Sequence, residues 1–161
     1  MSTRKSIHNV LFVICMILFN NIHAQEIKIY KIDELLNRIN SHSDTTYVVN
    51  FWATWCKPCV AELPEFEKLH IDYQLKKVKV ILVCMDFKED IDQKIKPFLN
   101  KNKYTSEVVL LDESNGNDFI NKISEKWSGA IPATLVIKND PLTKQFFENK
   151  VTYDFLVKHI K

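Results

Sequence analysis

The run Val78–Phe87, VKVILVCMDF, constrains the fold more than any other stretch of this chain. It is apolar and β-branched without an alternating polar face, so it reads as a strand buried on both sides, and such a strand sits in the middle of a sheet covered by helices on both faces. The segments around it alternate between strand and helix. Ile27–Lys31 can be a strand, and Asp33–Ile39 (DELLNRI) a short helix with Asp33 as N-cap and Leu35, Leu36 and Ile39 on one face. Thr46–Trp52 (TYVVNFW) is a strand, and residues 57–76 are a helix in which Pro64 predicts a kink. A helix from about Ile91 to Lys101, a strand at Glu107–Leu111 and a helix at Asn117–Trp127 follow. Ala133–Lys138 and Lys144–Glu148 read as a hairpin turning at Asn139, Asp140 and Pro141, and residues 152–160 as a closing helix capped by Thr152. The pattern predicts an α/β fold with a mixed central sheet flanked by helices. No repeat, low-complexity segment or interdomain linker interrupts it.

The chain has 161 residues, one domain's length, with 46% hydrophobic and 26% charged residues as in ordinary globular proteins. Its first 24 residues read as an export signal. Arg4 and Lys5 form a positive head, Val10–Phe19 (VLFVICMILF) is an unbroken apolar run, and Asn20, Asn21 and His23 lead to Ala24, after which cleavage is expected. The alternative is an uncleaved N-terminal membrane anchor, but a bilayer core needs about 20 apolar residues and this run has ten. Acylation at Cys15 is disfavoured by bulky Ile14 before it. The expected domains are thus a signal peptide, 1–24, and a mature domain, 25–161, located in the periplasm or otherwise outside the cytoplasm. That mature domain carries 20 basic and 20 acidic residues. Such a balance gives no electrostatic ground for binding nucleic acid.

Beyond the signal, the cysteines are Cys56, Cys59 and Cys84. In an exported chain, one close pair and one remote cysteine read as a working pair and a bystander, and Cys84, inside the buried run, reads as a small core residue. The chemistry gathers in Asn50–Pro64, NFWATWCKPCVAELP. A hydrophobic strand delivers Cys56 to the start of a helix, and Cys59 falls on the same helix face, within disulfide reach. Unpaired N–H groups and the positive end of the helix dipole favour a thiolate at Cys56, with Lys57 adding a cation. Cys56 is therefore expected to attack and Cys59 to resolve, with Pro58 restraining the turn between them. A purely structural disulfide closing so short a loop would stabilise little.

These residues carry a resemblance. WCKPC after VVNFWAT resembles a thioredoxin-fold active site, and FWATWCKPCVAELP is similar to the TlpA/ResA-like family of exported thiol-disulfide oxidoreductases. The likeness runs from about Glu26 to Lys161: Pro64 matches the helix kink of that fold, Ile131-Pro132 before ATLVIK matches its cis-proline loop, and Ile91–Leu111 fits the strand-helix insertion of the family. The resemblance implies a thioredoxin-like fold in which Trp55, Lys57, Pro58, Ile131 and Pro132 meet the substrate. It also implies a redox-active disulfide of Cys56 and Cys59, with no cofactor and no metal. Cytoplasmic thioredoxins keep a buried Asp where this chain has Asn50, while Glu62 matches a carboxylate of ResA-like proteins and could take the Cys59 proton. The other reading of Glu62 is a solvated first-turn residue favouring the helix N-terminus.

The expected function is reduction of disulfides in exported proteins by a monomer. The resemblance implies partners such as apocytochrome c and a membrane thiol-electron donor. Two other readings stand beside it: a periplasmic oxidant or isomerase, and a thiol-based metal chaperone. The remaining His42, His70 and His159 have no spacing of a shared ligand set.

Overall fold

The computed structural model describes residues 26–40, 44–139 and 141–161. The export signal, His42 and Asp140 of the predicted turn lie outside the described residues.

Six strands form one sheet in the order β1-β4-β3-β2-β5-β6. They are β1 (Lys28–Tyr30), β2 (Thr46–Trp52), β3 (Val78–Cys84), β4 (Glu107–Leu111), β5 (Ala133–Asn139) and β6 (Leu142–Phe147). The first four run parallel, while β5 is antiparallel to β2, and β6 to β5. The helices are α1 (Ile32–Ile39), α2 (Lys57–Tyr73), α3 (Lys96–Asn102), α4 (Gly116–Ile123) and α5 (Tyr153–Ile160).

Because successive strand residues point to opposite faces, the central strands feed two cores at once. Val49 and Phe51 of β2 and Ile81 and Val83 of β3 pack with Leu35, Ile39, Phe119 and Trp127. Val48, Trp52, Val80, Leu82 and Cys84 face the other way onto Leu63, Phe66 and Leu69 of α2, Leu156 of α5, and Ile95 and Leu99 of the helical segment before β4. The double burial read from VKVILVCMDF holds for Val80–Cys84, which helices cover on both faces; the strand ends at Cys84, and Phe87 is exposed. On the α2 side a buried carboxylate ties α2 to the segment leading into β4. Glu67 accepts N–H and hydroxyl bonds from both Thr105 and Ser106, just before β4. Burial pushes its carboxyl up, but those four donors together outweigh that and hold it below the usual range.

Several boundaries differ from the expected ones, each for a local reason. α1 begins at Ile32 and not after Asp33, since Glu34 accepts the Lys31 N–H at 2.8 Å and Glu113 the Ile32 N–H at 2.8 Å. Asp33 instead sits in the first turn and pairs with Lys122 of α4. The helix expected from Ile91 opens as a 3-10 turn at Lys88–Asp90 and a π turn at Ile91–Ile95 before α3. Pro97 has no N–H to return to residue 93, and the wider turn precedes it. The helix expected to reach Trp127 stops at Ile123, where the Ser124 hydroxyl accepts the Lys126 N–H at 3.2 Å and competes with the helix ladder. Trp127 remains in the core, its ring 4.9 Å from that of Phe51. Thr152 caps α5 as read, accepting the Phe155 N–H.

Candidate active site

Strand β2 ends at Trp52, and the residues that follow turn into α2 at the C-terminal end of the parallel strands, where open α/β sheets place their sites. Trp52 is fully buried, whereas Trp55 is 67% exposed. Cys56 is the N-cap of α2: its sulfur accepts the Cys59 N–H at 3.3 Å, so a backbone donor of the first turn is aimed at it. Cys56 and Cys59 are joined in a disulfide with Cα atoms 5.3 Å apart. Cys56 is 5% exposed and Cys59 not at all, so the first sulfur is the one a partner can reach. Lys57 and Pro58, between them, are exposed.

From across the sheet, the loop before β5 arrives at the same place. The Ile131-Pro132 peptide is cis, Pro132 is buried, and the Ile131 carbonyl oxygen lies 3.7 Å from Cys56 Sγ. A reduced Cys56 thiol would find an acceptor there, and the half-buried Ile131 leaves its backbone beside the sulfur that reacts.

Glu62, one turn along α2 from Cys59, is fully buried and not a solvated surface residue. Its Oε1 accepts from the Asn50 amide at 2.8 Å, and its Oε2 from the Val151 N–H at 2.8 Å. Burial pushes the Glu62 carboxyl up to about 7, against the pull of the Val151 N–H, the Asn50 amide and the Lys150 charge. A carboxyl so tuned exchanges a proton near neutrality. Asn50 thus holds the carboxylate instead of replacing it.

One further group was hidden from sequence reasoning. Asp86, 4% exposed, accepts the Thr54 N–H at 2.8 Å, the Thr54 hydroxyl at 2.6 Å and the Cys84 thiol at 3.1 Å. It fixes the turn leading into Cys56. The only signal was an acid within a run otherwise read as buried. Cys84 is fully buried, and burial, followed by the Asp86 charge, pushes its thiol far above the ordinary range.

The AhpC/TSA family model matches residues 23–144. The chain belongs to that family. It is 27% identical over 128 residues to the thiol-disulfide oxidoreductase ResA of Oceanobacillus iheyensis, covering 78% of this chain and 61% of that protein. Over 110 residues it is 31% identical to the thioredoxin-like protein YneN of Bacillus subtilis, covering 66% of this chain and 64% of that one. The chain therefore spans somewhat over six-tenths of the length of these relatives. Among solved structures, a thioredoxin-related protein from Neisseria meningitidis serogroup B aligns with a TM-score of 0.63 at 23% identity, over 76% of this chain and 91% of that one. StoA of Bacillus subtilis aligns at 0.57 and 20% identity, over 74% and 84%. These alignments show a thioredoxin-like fold; the helical segment 88–102 and β4 lie between β3 and α4.

The burial difference among the thiols is directly measurable. In the reduced, folded chain, iodoacetamide at pH 8 should modify Cys56 and leave Cys84 untouched until denaturant is added, as read by peptide mass spectrometry. Modification of Cys84 in the native state at a rate near that of Cys56 would contradict its placement.

Proposed function

We propose that the chain is an exported thiol-disulfide oxidoreductase that reduces disulfides of exported proteins. The observation that carries the reading is the Cys56–Cys59 disulfide at the start of α2, with Cys56 Sγ as N-cap and the Ile131 carbonyl beside it. In the reduced chain the Cys56 thiolate attacks one sulfur of a substrate disulfide, forming a mixed disulfide and releasing the first substrate thiolate. Cys59 passes its proton to Glu62 and attacks Cys56 Sγ, releasing the second thiolate and closing the enzyme disulfide. Two electrons pass to the substrate, and a membrane thiol donor returns them. Trp55, Lys57 and Pro58 form the exposed rim, and the backbone at Ile131-Pro132 lies along an extended substrate chain. Apocytochrome c is one substrate of the right chemistry, and the enzyme acts as a monomer.

Turnover is tested with insulin as substrate and dithiothreitol as reductant, and trapping with the pre-reduced chain and insulin after the dithiothreitol has been removed. Cys59→Ser should accumulate mixed disulfides on Cys56, Cys56→Ser should trap none, and Cys84→Ser should turn over within about twofold of wild type. Adducts located on Cys59 in the wild-type chain would reverse the two roles. A reduction potential below about −220 mV would make it a reductant, and one near DsbA's would make it an oxidant.

The export reading rests on Arg4, Lys5 and the apolar run Val10–Phe19. Among the described residues no helix is long and apolar enough to cross a membrane. The exported form, sequenced from its N-terminus, should begin at Gln25; a membrane-bound form retaining Val10–Phe19 would establish an anchor instead.

Glu62→Gln keeps the size of the side chain and removes the base. Resolution of the mixed disulfide should slow about tenfold, less than the roughly 10² to 10⁴ of general-base effects because solvent also generates the Cys59 thiolate. Because Glu62 must be ionised to accept a proton, the wild-type rate should rise with pH through about 7, and that step should vanish in the variant. Stopped-flow rates from pH 5 to 9 check both, and an unchanged profile would mean that water takes the proton.

A further inference from the structure

The link between β6 and α5 touches the site at both of its ends. At one end the Glu148 carboxylate accepts the Ser128 N–H at 3.0 Å, the Ser128 hydroxyl, and the Ala130 N–H at 3.1 Å. At the other, three residues on, the buried Val151 gives its N–H to Glu62. The loop that Glu148 grips is the one ending in Ile131 and Pro132. From its other side the Trp127 indole N–H donates to the Ala130 carbonyl at 2.7 Å. Between the gripped residues Gly129 has φ +95°, and a Cβ there would come 2.9 Å from Ile120 Cδ1. The loop therefore turns on a residue with little conformational preference of its own, and side chains from outside it select its shape. The Ser128 hydroxyl and N–H, with the Ala130 N–H, keep the Glu148 carboxyl below the usual range, so it stays ionised as acceptor at working pH.

We propose that Glu148 is a positioning residue for substrate binding: it holds Ser128 to Ala130 so that the Ile131 backbone stands preset beside Cys56 for an extended polypeptide, and residues 148–151 tie that loop to Glu62. The inference rests on the dithiol reading of the site. Without Glu148, the two N–H groups turn to water and the loop samples other conformations. An extended substrate must then order the loop as it binds, which weakens binding without touching the sulfurs. A small disulfide that needs only Cys56 Sγ escapes this cost.

The test compares two disulfides against the reduced chain. One is an extended ten-residue peptide whose single cysteine is joined to glutathione; the other is 5,5′-dithiobis(2-nitrobenzoate). Glu148→Ala should lower kcat/KM for the peptide about tenfold, mostly through KM, and change the small disulfide less than about twofold, the loss corresponding to the polar contacts removed. Glu148→Gln keeps one acceptor oxygen and should recover about a third of the peptide rate. Amide exchange at Ser128 and Ala130 should quicken in Glu148→Ala and recover in Glu148→Gln. Should Glu148→Ala not fold, Glu148→Gln carries the same peptide-against-small-disulfide comparison. An active wild type whose variants lose both disulfides equally, or neither, overturns the loop assignment alone. A wild-type chain inert toward both overturns the dithiol reading and this inference together.

Discussion

Strand β2 is hydrogen-bonded along both edges, parallel to β3 from Thr46 to Trp52 and antiparallel to β5 from Thr46 to Phe51. A one-residue slip would break two ladders and turn every side chain to the wrong core, so its register is fixed twice over. The site inherits that fixity. The pairing of Phe51 with Ala133 sets the residue after Pro132 against a residue five before Cys56, which is how a carbonyl 75 positions away in sequence arrives 3.7 Å from its sulfur. The same register turns Asn50 toward α2, where its amide meets Glu62.

Two electrostatic environments then share one helix. At its start, Cys56 faces an N–H of the first turn and the positive end of the helix dipole, conditions that favour negative charge. One turn beyond Cys59, Glu62 lies in the core, where burial disfavours charge. In the proposed reaction these environments favour a thiolate at Cys56 and leave Glu62 able to take a proton, three residues to either side of Cys59 in the sequence.

How far this was legible in the sequence depended on the range of the interaction. Thr46–Trp52 and Glu107–Leu111 matched to the residue because a buried strand writes its pattern in its own side chains. The dithiol, the cap at Thr152 and the buried run at Val78 were equally local. Glu62 and Asn50 could be singled out, but not their contact, since sequence does not say that positions twelve apart share one face of strand and helix. Asp86 holding Thr54, and Glu148 holding Ser128, were beyond reach because each joins loops 32 and 20 residues apart through side chains with no periodicity. The early end of α4 was missed for a smaller reason: a single serine hydroxyl tipped a helix that propensity alone would have continued.

Burying Glu62 has a thermodynamic consequence that fits its proposed role. Its carboxyl is raised in the fold from an ordinary 4.5 to about 7. The folded state therefore binds a proton that the unfolded chain has already lost between those values. The preference for the protonated fold is complete below the ordinary carboxylate value and is lost as pH rises through about 7. Well above neutrality the ionised Glu62 costs the fold roughly 3 kcal/mol relative to an unperturbed carboxyl. Pairing Asn50 and Val151 with it keeps that cost from rising further, because each donor stabilises the charged form. That cost builds up between the ordinary carboxylate value and about 7 and is constant above it, so the buried carboxyl changes its charge state just below the range in which ordinary thiols ionise.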